Sequence, residues 1–323
     1  MGVKLGNTDK DILIGYLGST PIYTSFLGDL PISPVTGRRY INATGGTITD
    51  SGDYRTHTFT TDGVFNVISA PNFGPNIGAE IFLVGGGGGG GNGSAVSIAF
   101  AGGGGAGGVV LIPSSSFAVS QGQFAITVGD GGLGGILGTR ESSNGEDTTA
   151  LGFTAKGGGR GSGWSNFSSS LYPALPGGSG GGGAFKSAFP SATTTGSASN
   201  QSSQPGLSGT YGTGSAGGDS IGGGGGASEP GNTDALGYGG DGITYKGVQY
   251  AGGGGGSDQG NDTNPGGTGG GGSGGNSDTI PIPPTAGTPN TGGGGGGGSA
   301  SGIAVSGANG GSGIVKITYK FQN

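Results

Sequence analysis

The chain has 323 residues, 91 of them glycine, and it contains no cysteine and a single histidine. The missing cysteines exclude disulfides and thiolate metal sites, and one histidine is too few for a transition-metal centre, so neither a metal nor a cofactor is expected. The net charge of −6 and the lack of any Lys/Arg cluster argue against nucleic acid and anionic membranes as partners. Glycine does not recur strictly at every third residue, which excludes a collagen triple helix.

The N-terminal residues are polar where a secretory signal would be apolar. No apolar run reaches the ~20 residues that a membrane-spanning helix needs. We therefore expect a soluble product made in a cytoplasm, without insertion into a membrane.

Residues 1–39 carry a repeat with a period of ten residues. The sequence YLGSTPI at residues 16–22 is repeated as FLGDLPI at residues 26–32. Each copy predicts short extended pieces bent by turns. So short a segment cannot build its own core, so it is expected to dock on a partner protein, on its own copies or on the following domain. A loosely held arm is the alternative. The predicted attachment residues are Tyr16, Leu17, Ile22, Phe26, Leu27 and Ile32.

From residue 40 the sequence becomes typical of strands. Residues 54–60 and 64–68 are rich in threonine, aromatic and β-branched residues. Turn residues separate such stretches, which predicts an all-β fold with a β-sandwich or jelly-roll-like core and essentially no α-helix. The last stretch, residues 314–319, is expected to pair with early strands. We therefore predict one domain, residues 40–323, with a β core of residues 40–135 and 303–323 and a glycine-rich insertion of residues 136–302.

Unbroken glycine runs occupy residues 85–91, 222–226, 252–256 and 292–298. Left alone, such runs should be disordered, because glycine loses the most backbone entropy on folding. Alternatively, polyglycine forms extended helices with three residues per turn, which pack closely and bond laterally because no Cβ keeps them apart. Seven residues at about 3.1 Å each would give a rod of roughly 22 Å. Aromatic residues between the runs favour this ordered interpretation, a set of packed polyglycine II helices joined by loops.

The aromatic residues of these spacers are the candidate binding residues. Aromatic rings among hydroxyl and amide groups suit contacts with sugars and polar surfaces. The alternative is that the rings cap the glycine layers. The candidates are Trp164, Phe167, Tyr172, Phe185, Phe189 and Tyr211.

Motifs of catalysis are present only as expected by chance. Residues 177–181 and 271–275 match G-x-S-x-G, but neither follows a hydrophobic strand, and His57 is distant in sequence and expected on a strand surface. The small acidic groups match no ion-binding loop and are interpreted as solvated loop charges. No enzymatic activity is expected. These acidic groups are Glu141, Glu146 and Asp147, and Asp258 and Asp262.

Six segments follow one another in an order typical of a known family: residues 45–49, 57–67, 79–91, 124–132, 250–256 and 310–319. This ordered set resembles the glycine-rich domain of bacteriophage tail and virion structural proteins. The resemblance implies a tail-fibre or adhesin-like component of the virion, assembled in the host cytoplasm. Its implied partners are its own copies (a homo-oligomer, with a trimer favoured), other virion tail proteins through the N-terminal arm, and a host surface glycan or outer-membrane receptor.

Three other functions compete with receptor binding. A purely structural virion protein, such as a decoration, collar, baseplate or fibre-shaft component, would have the same composition. An ice-binding or cell-wall glycine-rich protein would need a regular threonine array, which the spacers lack. A polysaccharide-degrading tail enzyme would need a pair of carboxylates in a groove.

Overall fold

The computed structural model describes most of the chain from residue 40 onward, together with the backbone of four strands in residues 1–39. The described ranges are residues 40–71, 78–94, 98–115, 117–137, 139–164, 171–186, 192–201, 222–258, 263–276, 281–300 and 305–322. Phe167, Phe189 and Tyr211 lie outside them. In the described part of the chain every regular element is a strand, which confirms the all-β prediction. The same part contains no helix of a length and apolar character that would cross a membrane.

The strands are numbered in chain order. They are β1 Lys4–Leu5, β2 Leu13–Leu17, β3 Thr20–Leu27, β4 Leu30–Ile32, β5 Asn42–Thr44, β6 Thr47–Ser51, β7 Tyr54–Phe59, β8 Gly63–Ser69, β9 Ala79–Val84, β10 Ala99–Phe100, β11 Val109–Ile112, β12 Gly122–Thr127, β13 Thr148–Ala150, β14 Phe153–Ala155, β15 Gly163–Trp164, β16 Leu171–Tyr172, β17 Phe185–Lys186, β18 Ala192–Thr193, β19 Ile243–Tyr245, β20 Val248–Tyr250, β21 Ser299–Ala300 and β22 Ile314–Lys320.

The N-terminal repeat forms an antiparallel sheet with the order β1-β2-β3-β4. Pro21 pairs with Tyr16 of β2, and β4 joins β3 only from Ser25 onward. Pro21 therefore has a strand on one side only, as a residue without an amide hydrogen requires. All six predicted attachment residues lie on β2, β3 or β4.

Two five-stranded antiparallel sheets form a sandwich. Sheet 1 has the order β11-β9-β22-β7-β6, and sheet 2 has the order β14-β13-β12-β8-β5. Between them lies a core that includes the fully buried side chains of Phe65, Ile81, Leu83 and Ile317. The closing strand β22 pairs with β7 and β9, which confirms the prediction that the end of the chain returns to early strands.

The chain passes from sheet 2 to sheet 1 at a turn that requires glycine. Gly45 and Gly46 have φ values of +113° and +60°. A Cβ at Gly45 would lie 2.0 Å from the Val64 carbonyl oxygen. Both the backbone conformation and the close approach therefore exclude a side chain at Gly45.

The run of residues 85–91 is the axis of a packed polyglycine array. Its amides donate in turn to three antiparallel segments: Gly85, Gly88 and Gly91 bond to residues 108, 105 and 102, and the amides between them bond to residues 143–146 and 308–311. Its carbonyls accept from residues 132–135, 158–161 and 295–298. A repeat of three residues and six bonded neighbours define a polyglycine II helix within a close-packed bundle. For residues 85–91, the interpretation as a packed polyglycine helix is therefore correct, and the interpretation as a disordered run is wrong.

Two further rods have the same hexagonal surroundings. Residues 101–108 bond to residues 85–91, 156–162, 179–182, 222–225, 254–257 and 292–298. Residues 293–298 likewise bond to six segments. Every amide of residues 85–91, 101–108 and 294–298 has a partner on a neighbouring segment, and the Gly293 amide donates to the Thr291 hydroxyl at 3.2 Å. A buried amide without a partner would be costly.

Sandwich and array interleave along the chain. The array includes residues 85–91, 101–108 and 307–311, which precede or follow residues 136–302. The sandwich includes β13 and β14, which lie within residues 136–302. The two structural parts therefore do not divide at the residue bounds that composition indicates.

Candidate functional site

The rods carry the chain away from the sandwich and back. Residues 85–91 leave from β9, residues 101–108 return from β10 to β11, and residues 157–162 leave from β14 to reach β15. Seven residues at about 3.1 Å place the far end roughly 20 Å from the sandwich. We call this far end, with β10, β15 to β18 and β21, the distal tip.

The distal tip has its own small sheet and hairpin. The sheet has the order β18-β17-β10-β21, so three separate loops contribute to it. Strands β15 and β16 pair beside it, with Gly163 opposite Tyr172. The tip is thus built by segments distant in sequence that the rods bring together.

Trp164 packs inside the tip. Trp164 is only 2% exposed, and it packs against Ala99 and Ala184. The indole Nε1–H donates to the Phe100 carbonyl oxygen at 3.3 Å. Trp164 therefore acts as a cap on the rods, and the ring offers no exposed face to a ligand.

Two of the predicted binding residues, Tyr172 and Phe185, are half-buried at the tip. The Phe185 ring lies parallel to that of Phe100, with centroids 6.4 Å apart. The guanidinium of Arg160 lies 6.0 Å from the centroid of the Tyr172 ring and also pairs with Glu141. The structure thus brings Trp164, Tyr172 and Phe185 to one end of the molecule, with Trp164 inside and the other two at its surface.

Buried polar groups hold the tip from within. The Asn92 amide donates to the Trp164 carbonyl at 2.7 Å and to the Gly93 carbonyl at 2.9 Å. Asn92 Oδ1 and Ser299 Oγ are buried and have no protein partner among the described residues. Neither residue could be singled out from sequence, because their neighbours lie on other rods.

His57 lies in the sandwich core, so the expectation of a surface histidine is wrong. It is fully buried. Its Nδ1 donates to the Gly45 carbonyl at 2.6 Å, which leaves Nε2 to accept from the Tyr319 hydroxyl at 2.8 Å. Burial lowers the pKa of His57 below its ordinary value and raises that of Tyr319 to about 12. The signal in the sequence was the alternation that puts His57 on the same strand face as Phe59.

Several acidic side chains of the described residues take part in loop structure, whereas Asp262 lies outside those residues. Asp147 pairs with Lys156 at 2.7 Å, and Glu141 pairs with Arg160. A further group, Glu229, Asp234 and Asp241, has carboxylate oxygens within 4.8 Å of one another. Within it, Asp241 Oδ1 accepts the Thr268 amide at 2.7 Å and Glu229 Oε2 accepts the Asp241 amide at 3.2 Å. These bonds fix loops between rods.

A hairpin of the array clamps the outer face of sheet 1, a contact that sequence reasoning missed. The Tyr245 ring of β19 stacks on Phe82 of β9 with centroids 3.9 Å apart. The Tyr245 hydroxyl donates to Glu80 at 2.6 Å, and Lys246 Nζ lies 2.7 Å from the same carboxylate. Burial, and then the bond to Glu80, raises the pKa of Tyr245 above its usual range. From β22, Lys316 Nζ donates to the Tyr250 hydroxyl at 2.7 Å.

A β-sandwich joined to a bundle of polyglycine helices, each with six bonded neighbours, defines an all-β, glycine-rich fold. The family model of the glycine-rich domain matches residues 60–320. The chain therefore belongs to the glycine-rich domain family. Comparison with curated proteins found no match.

Proposed function

We propose that the protein is a bacteriophage virion structural protein, a tail-fibre or adhesin component that binds the host cell surface through loops on a rigid polyglycine body. The supporting observation is that several segments that join the rods, with β10, β15 to β18 and β21, meet at the distal tip. At most positions inside the rods a side chain would meet neighbouring backbone, so side chains are concentrated in the segments that join the rods. A rigid body with variable loops at one end suits recognition, because the loops can change without disturbing the scaffold.

The proposed assembly contains several copies of the chain. A homo-oligomer, with a trimer favoured, would multiply weak loop contacts into avidity. In this proposal the β2–β4 segment attaches the protein to other virion tail proteins. The tip contacts a host surface glycan or outer-membrane receptor, and the protein resides in the tail or fibre. The role needs neither catalysis nor a cofactor.

Cell binding by the purified full chain tests this function. Fluorescent protein is incubated with a panel of bacterial strains, before and after periodate oxidation of surface glycans, and retention is measured by flow cytometry. The variant Phe167→Ala/Phe189→Ala/Tyr211→Ala removes three spacer rings, and Val64→Ala, at an exposed position of β8 in the sandwich, is the control. We expect the triple variant to lose retention on at least one strain and the control to keep it.

A purely structural virion role is the second candidate. It is favoured by the burial of Trp164, because a predicted binding ring serves instead to cap the rods. If no strain in the panel retains the chain, and particles lacking it are malformed, the structural role replaces the adhesin role.

A further inference from the structure

A cleft of about 550 Å³ lies between the outer face of sheet 1 and the turn of the β19–β20 hairpin. Strand register lays two rows of side chains along its floor. One row is Ser51, Tyr54 and Lys320, and the other ends with Thr56, Thr318 and Glu80. This volume falls within the range of small-molecule sites in proteins.

The walls of the cleft are fixed before any ligand arrives. The hairpin is held by the stacked rings of Phe82 and Tyr245 and by the bonds of Glu80 to Tyr245 and Lys246. Lys246 Nζ also donates to Thr318 Oγ1 at 3.1 Å, and Thr318 shares a hydrogen bond of 2.9 Å with Thr56. A prearranged site binds without the entropic cost of ordering its side chains.

The lining has the chemistry of a site for a neutral polyhydroxyl ligand. Glu80 and Lys246 neutralise each other, and Lys320 Nζ lies 3.7 Å from Asp53 Oδ2, so the cleft carries little net charge. In the described part of the chain, the hydroxyls of Ser51 and Tyr54 make no hydrogen bond within the protein. Tyr54 is 54% exposed and offers a ring face beside these hydroxyls. An exposed ring with hydroxyl donors and acceptors around it suits the apolar face and the polar edge of a sugar.

We propose that this cleft is a binding site for a neutral saccharide, with the Tyr54 ring as the stacking platform and the Ser51 and Thr56 hydroxyls as hydrogen-bonding partners. The site is separate from the distal tip. The proposal deepens the proposed function by naming the class of ligand that the cleft binds. Only the biological role of this binding rests on the proposed function.

The test uses the full chain and two sets of probes. Neutral oligosaccharides built from glucose, galactose, mannose or N-acetylglucosamine are titrated by calorimetry, with polygalacturonate and heparin as anionic probes. The variants are Tyr54→Ala, Tyr54→Phe and, as a matched tyrosine control outside the cleft, Tyr238→Ala. Thermal melts confirm that each variant folds.

We expect at least one neutral series to bind and Tyr54→Ala to weaken that binding about tenfold. Tyr54→Phe and Tyr238→Ala should leave it within about threefold of the wild type. The inference is overturned if no neutral probe binds at millimolar concentrations, if the anionic probes alone bind, or if Tyr54→Ala binds as well as the wild type. Cell retention separates the two proposals. Retention without saccharide binding refutes the cleft alone, and Tyr54-dependent saccharide binding without retention refutes the adhesin role alone.

Discussion

Replacing Gly88 by alanine should destabilise the array strongly, since Gly88 lies in the middle of its central rod. A Cβ at Gly88 would lie 2.1 Å from the Gly159 carbonyl oxygen, where ordinary contacts begin at 3.4 Å. The two rods must therefore separate by more than about 1 Å, which is the scale at which overpacking is costly. Two bonds join these rods on either side of Gly88: the Gly158 amide donates to the Gly86 carbonyl at 2.7 Å, and the Gly161 amide donates to the Gly89 carbonyl at 2.9 Å. Loss of these two buried bonds, at roughly 1–3 kcal/mol each, gives about 2–6 kcal/mol.

Urea unfolding measures this cost against a matched glycine. Gly52, in the turn between β6 and β7, has a φ of +58°, and a Cβ added there would meet no other atom within 4 Å. Gly52→Ala should therefore cost only the left-handed conformation, about 1–2 kcal/mol. If Gly88→Ala lowers the free energy of unfolding no more than Gly52→Ala does, the rods are not in contact and the packing argument fails.

Three further predictions concern the sandwich, the β19–β20 hairpin on sheet 1 and the distal tip. Because burial lowers the pKa of His57, the unfolded chain binds a proton near 6.5 while the folded chain does not. The contribution of His57 to stability should be fully present above that pH and be lost as the pH falls toward the lowered pKa. The urea midpoint of the wild type should therefore be lower at about pH 5.5 than at about pH 7.5, and this difference should be much smaller for His57→Phe. Where the β19–β20 hairpin contacts sheet 1, Phe82→Ala should lower the free energy of unfolding in urea by about 3–5 kcal/mol. Glu80→Gln should lower it by less than about 1 kcal/mol, because the Glu80–Lys246 ion pair is partly exposed. Equal losses would refute the stacking argument. Trp164→Ala should speed amide hydrogen exchange at the tip while the sandwich keeps its protection, and unchanged exchange would mean that the ring is no cap.

The sandwich could be predicted because its strands carry side chains with a period of two. In β7, Thr56 and Thr58 alternate with His57 and Phe59, and the structure places the first pair outside and the second inside. The same alternation indicates β22 as a strand with a buried face. The polar character of histidine misled the assignment of His57, since its two hydrogen-bonding partners come from residues 12 and 262 positions away.

The two candidate binding surfaces could be predicted less well, because each joins elements that are remote in sequence. The cleft needs β6, β7 and β22 in register and the turn at Lys246 above them. No local pattern connects Tyr54 with Lys246. At the tip, aromatic composition selected Tyr172, Phe185 and Trp164 alike as candidate binding residues. It did not distinguish the half-buried Tyr172 and Phe185 from Trp164, whose burial depends on Ala99 and Ala184.

The unbroken glycine runs carry more information than their lack of side chains suggests. In a bundle of threefold helices, each third residue points at the same neighbouring helix. A rod with neighbours on every side therefore requires glycine at nearly every position. Residues 85–91 and 293–298 meet this condition and are uninterrupted. In residues 131–135 the run is broken by Leu133, which is 45% exposed and so points out of the array. Ala106 breaks a rod at the end where it joins the apolar cluster of Phe82 and Tyr245. The interruptions thus mark where a rod faces solvent or sandwich, and an unbroken run marks the interior of the bundle.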